Sequence, residues 1–330
     1  MAKKTVGLDI GSKTITLYLE GSGVIASEAA CIGIDPYSKE PVSYGNAALN
    51  AARTTPGSVT LVKPMFEGSV SDHDGLELIL DGMLREAGIS RPEIVLAVSS
   101  GSNDAERNAV AEILYGIGAR LVEYVNMPSA CVLGSKADLA DDRALISLNI
   151  GGGVTDIGVV KGCVTRFEQT VKYGCGKLDA AVDKFIRRKF NVAPDEQALN
   201  EIRIKVGSVH PSFDAGSYKF RARDLITGLP VSLAVTSEQT RAAMLPVAEY
   251  IAKVTAALVK SLPEPISGEV KDRGLLISGG GALTGGMDEL LREITGLPVT
   301  VSPHATDCII EGIGVAVENR DVFGALIREL

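Results

Sequence analysis

The chain has 330 residues and a net charge of −8 at pH 7, from 33 Lys and Arg against 41 Asp and Glu. This length predicts two domains, and the acidic balance argues against a protein that grips nucleic acid, because phosphate binding needs a basic face. A hydrophobic fraction of 45% excludes a disordered chain. We find no uninterrupted apolar run of about 18 residues, which argues against a membrane-spanning helix.

The predicted elements alternate between strands and helices. Asn103 is a candidate N-cap for one helix, and Pro128 a candidate start for the next. In chain order we predict a strand pair within Val6–Leu19, helix Leu76–Ala87, strand Glu93–Val98, helix Asp104–Gly116, strand Leu121–Val125, a helix from Pro128, a strand pair within Leu145–Val160, helices Gly176–Phe190 and Glu196–Gly207, strands Tyr218–Arg223 and Leu229–Thr236, helix Ser237–Leu262, strand Leu275–Ser278 and helix Gly286–Thr295.

Cysteines and histidines predict neither disulfides nor a histidine-based site. The five cysteines are scattered without a CxxC pair, so reduced thiols in a cytoplasmic protein are expected. Three histidines are too few for a His-based metal site or a Ser-His-Asp enzyme. At the N-terminus, Asp9 interrupts the short apolar run of Met1–Asp9, which therefore reads as neither a signal peptide nor a long amphipathic anchor.

The most informative feature is an internal repeat. The segments Val6–Leu19 and Leu145–Val160 each read as an apolar strand, a small polar turn and a second strand. Superimposing Asp9 on Asn149 also superimposes the glycines that follow two residues later. Glycine in such a turn lets the backbone approach a ligand and direct its N–H groups at it.

Two copies of this unit predict two related halves, 1–139 and 140–330, joined at the polar segment Lys136–Arg143. Alternating strands and helices imply an α/β fold in which each half has a sheet covered by helices. The stretches 33–70 and 180–240 fit this alternation least, so we expect them to form small inserted subdomains.

Three glycine turns follow apolar strands: Gly11-Ser12, Gly151–Gly153 and Gly279–Gly281. One such turn is weak evidence for a phosphate site. Three together are stronger, because two β-hairpins can hold a polyphosphate from opposite sides while the third turn supports the ribose or adenine. Neither a P-loop nor a GxGxxG motif is present.

These segments resemble the motifs of the actin, hexokinase and heat-shock-chaperone ATPase superfamily, and within it most closely the bacterial actins of the MreB and MamK type. The resemblance covers almost the whole chain, in the expected order. The segments that carry it are Asp9–Thr14, Pro64–Val70, Asn149–Asp156, Asn200–Arg203, Ile277–Leu283 and Asp307–Gly314.

The resemblance implies an actin-like ATPase fold: two related domains, each with a mixed sheet flanked by helices, plus two small inserted subdomains. It further implies ATP or ADP with Mg²⁺ in the cleft, a head-to-tail filament of paired strands, and an unknown cytoplasmic adaptor. Asp9 is expected to hold Mg²⁺ through water and, with the positions of Met127 and Asn149, to form the catalytic set. The positions expected at the phosphates are Gly11, Ser12, Lys13, Thr14, Gly151, Gly152 and Gly153, and those at the ribose and adenine are Asn200, Arg203, Gly280, Gly281, Ala282 and Leu283.

Three positions depart from the family pattern. Asn149 and Met127 stand where relatives usually carry acids, and Lys13 adds a cation at the first phosphate turn. A thioether is a very weak acceptor for orienting a water molecule, so we expect slow hydrolysis. The alternative is a local shift of the alignment, with Glu123 or Asp156 supplying the acceptor.

Membrane binding is not expected from the first half. Relatives use an N-terminal amphipathic helix or an exposed apolar loop, and here the corresponding loop, Gly88–Pro92, offers one large apolar residue, Ile89. This favours a cytoplasmic cytoskeletal role such as organelle or compartment positioning over wall synthesis. We expect the basic run Lys184–Lys189 to be a solvated helix face or a subunit contact.

Two other functions compete with the filament. A monomeric chaperone-like or scaffold ATPase of the same superfamily would need a substrate-binding domain, and the sequence ends at Leu330 without one. A sugar or acetate kinase would need an Asp poised as base at a second substrate, and we find no convincing one. Both gaps favour the filament.

Overall fold

The computed structural model describes residues 4–330, so Met1–Lys3 of the N-terminal segment lie outside it. The strands are β1 Thr5–Ile10, β2 Thr14–Leu19, β3 Gly23–Ala29, β4 Ile32–Ile34, β5 Pro41–Tyr44, β6 Thr60–Val62, β7 Met65–Phe66, β8 Ser69–Val70, β9 Glu93–Val98, β10 Leu121–Asn126, β11 Leu145–Ile150, β12 Thr155–Lys161, β13 Val164–Val171, β14 Val192–Pro194, β15 Ser217–Asp224, β16 Pro230–Thr236, β17 Leu275–Ser278, β18 Val299–Val301 and β19 Arg328–Glu329. The helices are α1 Gly45–Thr54, α2 His73–Glu86, α3 Asp104–Gly116, α4 Met127–Gly134, α5 Cys175–Phe190, α6 Glu196–Val206, α7 Ser237–Ser261, α8 Ile266–Arg273, α9 Met287–Thr295, α10 Cys308–Glu318 and α11 Arg320–Phe323, with short 3-10 turns at Gly280–Leu283 and Gly324–Leu326.

Two mixed sheets form the centre of the molecule. The first has the order β19-β10-β9-β1-β2-β3, and the second β13-β12-β11-β17-β18. In each, the first strand of the repeat pairs antiparallel with the next strand and parallel with a later one: β1 with β2 and β9, and β11 with β12 and β17. The repeat therefore extends beyond sequence to topology, and the predicted α/β architecture of mixed sheets flanked by helices is confirmed.

Several elements follow directly from local sequence signals. β9 and α3 have the predicted bounds, and Asn103 caps α3 in a capping box with Glu106. α7 is long and apolar enough to cross a membrane by length and composition alone. One face of it, which includes Met244, Ala248 and Ile251, is fully buried in the core of the second sheet's half, which is the position of a core helix.

Two three-stranded sheets occupy the stretches where the sequence predicts inserted subdomains. β5-β4-β6 spans residues 32–62, and β14-β15-β16 spans residues 192–236. The first of them contributes Leu61 of β6 to the wall of the cavity described below, and α6, which follows β14, lines the same cavity.

The C-terminal residues return to the first sheet. α10 packs against α4, β1 and β9, and β19 pairs with β10. The predicted division at 139/140 assigned this segment to the second half, and its packing differs from that expectation because α10 is apolar on nearly every side and fills the gap between the first sheet and α4. α4 and α10 thus cross where the chain passes between the halves.

Candidate functional site

The two repeated turns close with the same hydrogen bond. The N–H of Gly11 donates to the carbonyl of Thr14 at 2.9 Å, and the N–H of Gly151 donates to the carbonyl of Val154 at 2.9 Å. Among the described residues, nothing accepts from the N–H groups at the two tips, those of residues 12, 13, 152 and 153. Such tips are suited to binding an anion.

The two tips face each other at close range, which explains the glycines. A Cβ added to Gly152 would lie 2.9 Å from Cγ of Lys13, and one added to Gly153 would lie 2.6 Å from Oγ of Ser12. Side chains at these positions would push the two turns apart. The glycines therefore allow the tips of both hairpins to converge on one region.

The third turn, Gly279–Gly281, packs partly against the second hairpin. A Cβ on Gly281 would lie 2.1 Å from Cγ2 of Ile150, so this residue packs on the second hairpin rather than facing open space. Ala282 is buried too. Gly280 and Leu283 line the cavity, whereas Gly281 and Ala282, predicted to contact the nucleoside directly, do not.

A cavity of about 720 Å³ lies between the halves, and all three turns line it. This volume is typical of a site for a cofactor-sized ligand. The predicted site residues that the structure brings together in its lining are Asp9, Gly11, Ser12, Lys13, Thr14, Met127, Asn149, Gly151, Gly152, Gly153, Asn200, Arg203, Gly280 and Leu283.

Lys13 and Arg203 share one carboxylate. The ammonium of Lys13 forms an ion pair with Asp179 of α5, and Nε of Arg203 donates to the other oxygen of Asp179 at 2.9 Å. Arg203 also donates to the carbonyl of Gly280 at 3.0 Å and to Oδ1 of Asn200 at 2.6 Å. The buried Arg203 therefore fixes Asn200 and Gly280 on the side of the cavity where the nucleoside is expected. Lys13 connects the two halves.

Sequence reasoning missed Asp179 and two further ion pairs that join the two halves. Lys63 pairs with Glu196 at 2.5 Å, and Lys177 pairs with Glu67 at 2.8 Å. These partners are distant in sequence and carry no motif, so no local signal could have found them. Together with the pair of Lys13 and Asp179, they connect the two halves.

Asp9, at the end of β1, is one of the carboxyl groups that line the cavity. Desolvation, with repulsion from Asp307 as a second cause, raises the pKa of Asp9 to about 7. A desolvated carboxyl with a raised pKa suits a nearby hard cation, because the cation favours the charged form of the carboxyl. Such a cation is coordinated by oxygen atoms, often through water. The residues present therefore fit Mg²⁺ held through water by Asp9.

The two neutral replacements touch each other. Nδ2 of Asn149 donates to the sulfur of Met127 at 3.4 Å, and Oγ of Ser278 donates to Oδ1 of Asn149 at 3.3 Å. Both ends of the Asn149 amide are therefore partnered. Neither side chain therefore offers a carboxylate that could orient water in the cavity.

Neither of the alternative acceptors reaches the cavity. Glu123 forms an ion pair with Arg320 at 2.6 Å on the far edge of the first sheet. Oδ1 of Asp156 accepts from Oγ of Ser99 at 2.6 Å and from Oγ1 of Thr170 at 2.6 Å, and this fixes the carboxyl between the halves. Neither residue is in the lining of the cavity, although Ser99, which donates to Asp156, is. The suggestion that Glu123 or Asp156 supplies the acceptor therefore stays a prediction.

Comparison with known proteins shows a matching family model and relatives that are similar over almost their whole length. A family model described as "MreB/Mbl protein" matches residues 3–324. The chain is 27% identical over 325 residues to the cell shape-determining protein Mbl of Bacillus cereus (strain ATCC 10987 / NRS 248), covering 97% of this chain and 98% of that protein. It is 26% identical over 334 residues to the cell shape-determining protein MreB of Escherichia coli (strain K12), covering 98% and 96%.

Solved structures show the same fold. MreB5 of Spiroplasma citri bound to AMPPNP superimposes with a TM-score of 0.89 at 22% identity, covering 99% of this chain and 98% of that one. A chain of the MamK double helical filament superimposes with a TM-score of 0.79 at 18% identity, covering 96% and 99%. The predicted actin-like fold is therefore confirmed.

Proposed function

The chain belongs to the MreB/Mbl family of bacterial actins, and on this premise we propose that it is a cytoskeletal protein that binds ATP or ADP with Mg²⁺ and polymerises head to tail into filaments of paired strands. The observation that carries the proposal is the pair of matching hairpin tips that converge across a cavity of about 720 Å³. Support comes from relatives of the same fold, since MreB5 of Spiroplasma citri was solved with AMPPNP and with ADP, and MamK as a double helical filament.

The tips suit the polyphosphate. The backbone N–H groups of Ser12, Lys13, Gly152 and Gly153 at the two tips have no protein acceptors among the described residues. Phosphate oxygens supply the acceptors that such groups need. The ammonium of Lys13 stands at the same place and adds positive charge.

The other side of the cavity suits the nucleoside. Asn200 and Arg203 are held in place by their mutual hydrogen bond, and Gly280 and Leu283 provide a small, partly apolar wall. Asp9 would hold Mg²⁺ through water, and the cation would supply neutralisation of the phosphate charge. The cavity therefore has a charged side for the phosphates and a partly apolar side for the nucleoside.

We propose that hydrolysis is slow. Met127 lies at the position from which a water-orienting acid acts in relatives, and its sulfur already receives the amide of Asn149. General acid–base catalysis contributes about 10²–10⁴ to a rate, so losing the acceptor leaves binding intact while most of the chemistry is lost. The filament would then turn over slowly.

The proposed setting is the cytoplasm, where the chain assembles with copies of itself and with an adaptor. Named relatives are cell shape-determining proteins, and we extend to this chain a role in cell shape or in positioning a cellular compartment.

Sedimentation combined with negative-stain microscopy, with and without ATP and Mg²⁺, tests the proposal. Filaments that require nucleotide support it. A protein that binds nucleotide yet stays monodisperse would instead point to the monomeric chaperone-like ATPase, and a protein that binds no nucleotide would remove the proposal altogether.

A further inference from the structure

A groove with a volume of about 610 Å³ lies on the surface of the second half, between α5 and α7. Alanines of both helices line it, together with four larger side chains of α5: Lys184, Phe185, Arg188 and Lys189. None of these residues lines the cavity between the halves. This α5–α7 groove is therefore separate from the candidate nucleotide site.

The groove divides the basic run near the end of α5, for which the sequence predicts a solvated helix face or a subunit contact. Ile186 is buried in the core of this half, and Arg187 forms an ion pair with Asp183 at 2.7 Å. Lys184 and Arg188 are four residues apart, so they lie on one face of α5. Part of the run therefore turns its charge to the groove.

The three cations of the groove lack acidic partners within residues 4–330. Lys184, Arg188 and Lys189 are all exposed, and none of them forms an ion pair with a carboxylate of this part of the chain. The acid of α7 that is closest in sequence, Glu238, lies about one turn before Ala242 and is not in the lining. The groove is therefore basic on a chain whose net charge is −8.

Two aromatic rings fix the apolar wall of the groove. The rings of Phe185 and Phe190 meet edge to face, with 6.3 Å between their centroids. Nζ of Lys189 lies 5.4 Å from the centroid of each ring, and this cation–π arrangement positions the ammonium. The alanines leave room for another helix to approach closely. The groove thus combines a fixed apolar wall with positive charge.

We propose that the α5–α7 groove binds an acidic amphipathic helix of a partner protein. Apolar side chains of that helix pack on Phe185 and the alanines, and its carboxylates pair with the cations. Lys184 and Arg188 are separated by four residues, about 6 Å along the helix axis, and acids four residues apart on the partner repeat that distance. The inference rests on the proposed function in one respect, since the partner is then the adaptor of the filament.

Charge and shape both favour an acidic helix over other occupants. The rest of the chain is acidic and repels an acidic segment, so such a segment is directed to the basic groove. A bilayer is bound by apolar side chains that protrude, whereas the residues between the cations here are alanines and a half-buried ring.

A designed peptide tests the charge pairing. The probe is a fluorescein-labelled helical peptide of about 20 residues, with leucine and alanine along one side and glutamate at each turn beside them. Its anisotropy is measured with the full-length chain, without nucleotide and in about 0.1 M salt, so that filaments and distant charges contribute little. The anisotropy should rise with the unmodified chain, and Lys184→Glu with Arg188→Glu should weaken the affinity about tenfold or more.

The matched control is Lys260→Glu with Lys271→Glu, which changes the net charge equally at exposed positions of the same half. It should leave the affinity within about twofold of the unmodified chain. An unmodified chain that does not bind the peptide, or equal weakening by the two double variants, would overturn the proposal.

Ala242→Leu separates the groove from its charge. The larger side chain fills the space opposite α5 and keeps all three cations, so it should weaken peptide binding about fivefold or more. Unchanged affinity would mean that the cations bind acids without the groove, which contradicts the proposal. Peptide binding by a chain that forms no filaments with ATP would count against the proposed function and leave this inference standing.

Two further assays identify the other occupants. If the unmodified chain forms filaments and ignores the peptide, and Lys184→Glu with Arg188→Glu abolishes the filaments, the groove binds a second copy of the chain. If flotation with phosphatidylglycerol vesicles is lost in that double variant and the peptide is again ignored, the groove binds lipid. Either result contradicts the proposal.

Discussion

The side-chain amide of Asn149 donates a hydrogen bond to the thioether sulfur of Met127 at 3.4 Å. The two residues come from different halves of the chain, and each is a neutral side chain at a position where the family resemblance predicts an acid. The contact is consistent with their occurring together, because the amide can donate to the weakly accepting sulfur and neither residue adds a buried carboxylate to the cavity.

Restoring an acid at this position should restore hydrolysis. In Met127→Glu the carboxylate can accept from Nδ2 of Asn149 with one oxygen and orient water with the other, so phosphate release should rise about tenfold or more. The readout is phosphate release under polymerising conditions. Met127→Leu, which keeps the volume without an acceptor, should match the unmodified chain. An equal rate in all three proteins would contradict the slow-hydrolysis proposal.

Asp9 should make the stability of the nucleotide-free protein depend on pH. Its pKa is raised to about 7 in the fold and is about 4 in an unfolded chain. The folded state therefore holds a proton that the unfolded state releases, so the stability tied to this group is full below about pH 4 and is lost as the pH rises through about 7.

The measurement is the thermal midpoint between about pH 4 and about pH 8, a range that includes both pKa values. The midpoint of the unmodified chain should fall over this window, and that of Asp9→Asn should fall less. ATP with Mg²⁺ should flatten the dependence of the unmodified chain, because a cation favours the charged carboxyl. Parallel curves for the two proteins would show that Asp9 does not titrate there.

Substitutions of Asp179 and of Lys13 should affect different quantities: the first should lower the free energy of unfolding, and the second should weaken ATP binding. Asp179→Asn leaves the buried guanidinium of Arg203 without its carboxylate, at a cost of about 3–5 kcal/mol in the free energy of unfolding. Lys13→Met keeps the Asp179–Arg203 pair, so it should cost about 1 kcal/mol or less yet weaken ATP binding.

Denaturant unfolding and calorimetric ATP titration give the two readouts. Lys253→Met, which breaks the exposed pair with Glu249, is the control and should change neither quantity. ATP binding by Lys13→Met that equals that of the unmodified chain would place Lys13 outside the phosphate site.

The crossing of α4 and α10 should not tolerate a methyl group. A Cβ on Gly134 would lie 1.9 Å from the carbonyl oxygen of Cys308, and one on Gly312 would lie 1.8 Å from that of Ala130. Both contacts are with backbone, so the helices must separate, and each alanine variant should lose about 1–3 kcal/mol or more of stability.

The control is Gly116→Ala in α3, where the added Cβ meets nothing within 4 Å. It should be neutral or stabilising by up to about 1 kcal/mol, because alanine has the higher helix propensity. A Gly134→Ala protein as stable as this control would mean that the crossing is looser than the structure shows.

The sequence predicted elements best where the signal is local. The bounds of α3 follow from its capping box, and the shared turn geometry of the repeat follows from the glycines at 11 and 151. α10 was not predicted, because nearly all of its residues are apolar and buried and its two glycines, Gly312 and Gly314, have low helix propensity.

Within the cavity the sequence predicted which turns meet, because the repeat and the glycine motifs carry that information. It did not predict that Lys13 reaches Asp179, or that Gly281 and Ala282 pack behind the wall. Those relationships depend on how the two halves approach each other, which no local pattern encodes. The paired tips are therefore predictable, and the ion pairs that close the cavity are not.

A calorimetric titration of ATP, with adenosine as the second ligand and Mg²⁺ present, shows whether the hairpin tips bind phosphate. The chain should bind ATP far more tightly than adenosine, because the hairpin tips hold the phosphates. Gly153→Val, whose side chain would collide with Ser12 across the cavity, should lose that preference while remaining folded by circular dichroism. ATP and adenosine binding with equal affinity, or unchanged ATP affinity in the folded Gly153→Val protein, would contradict the account.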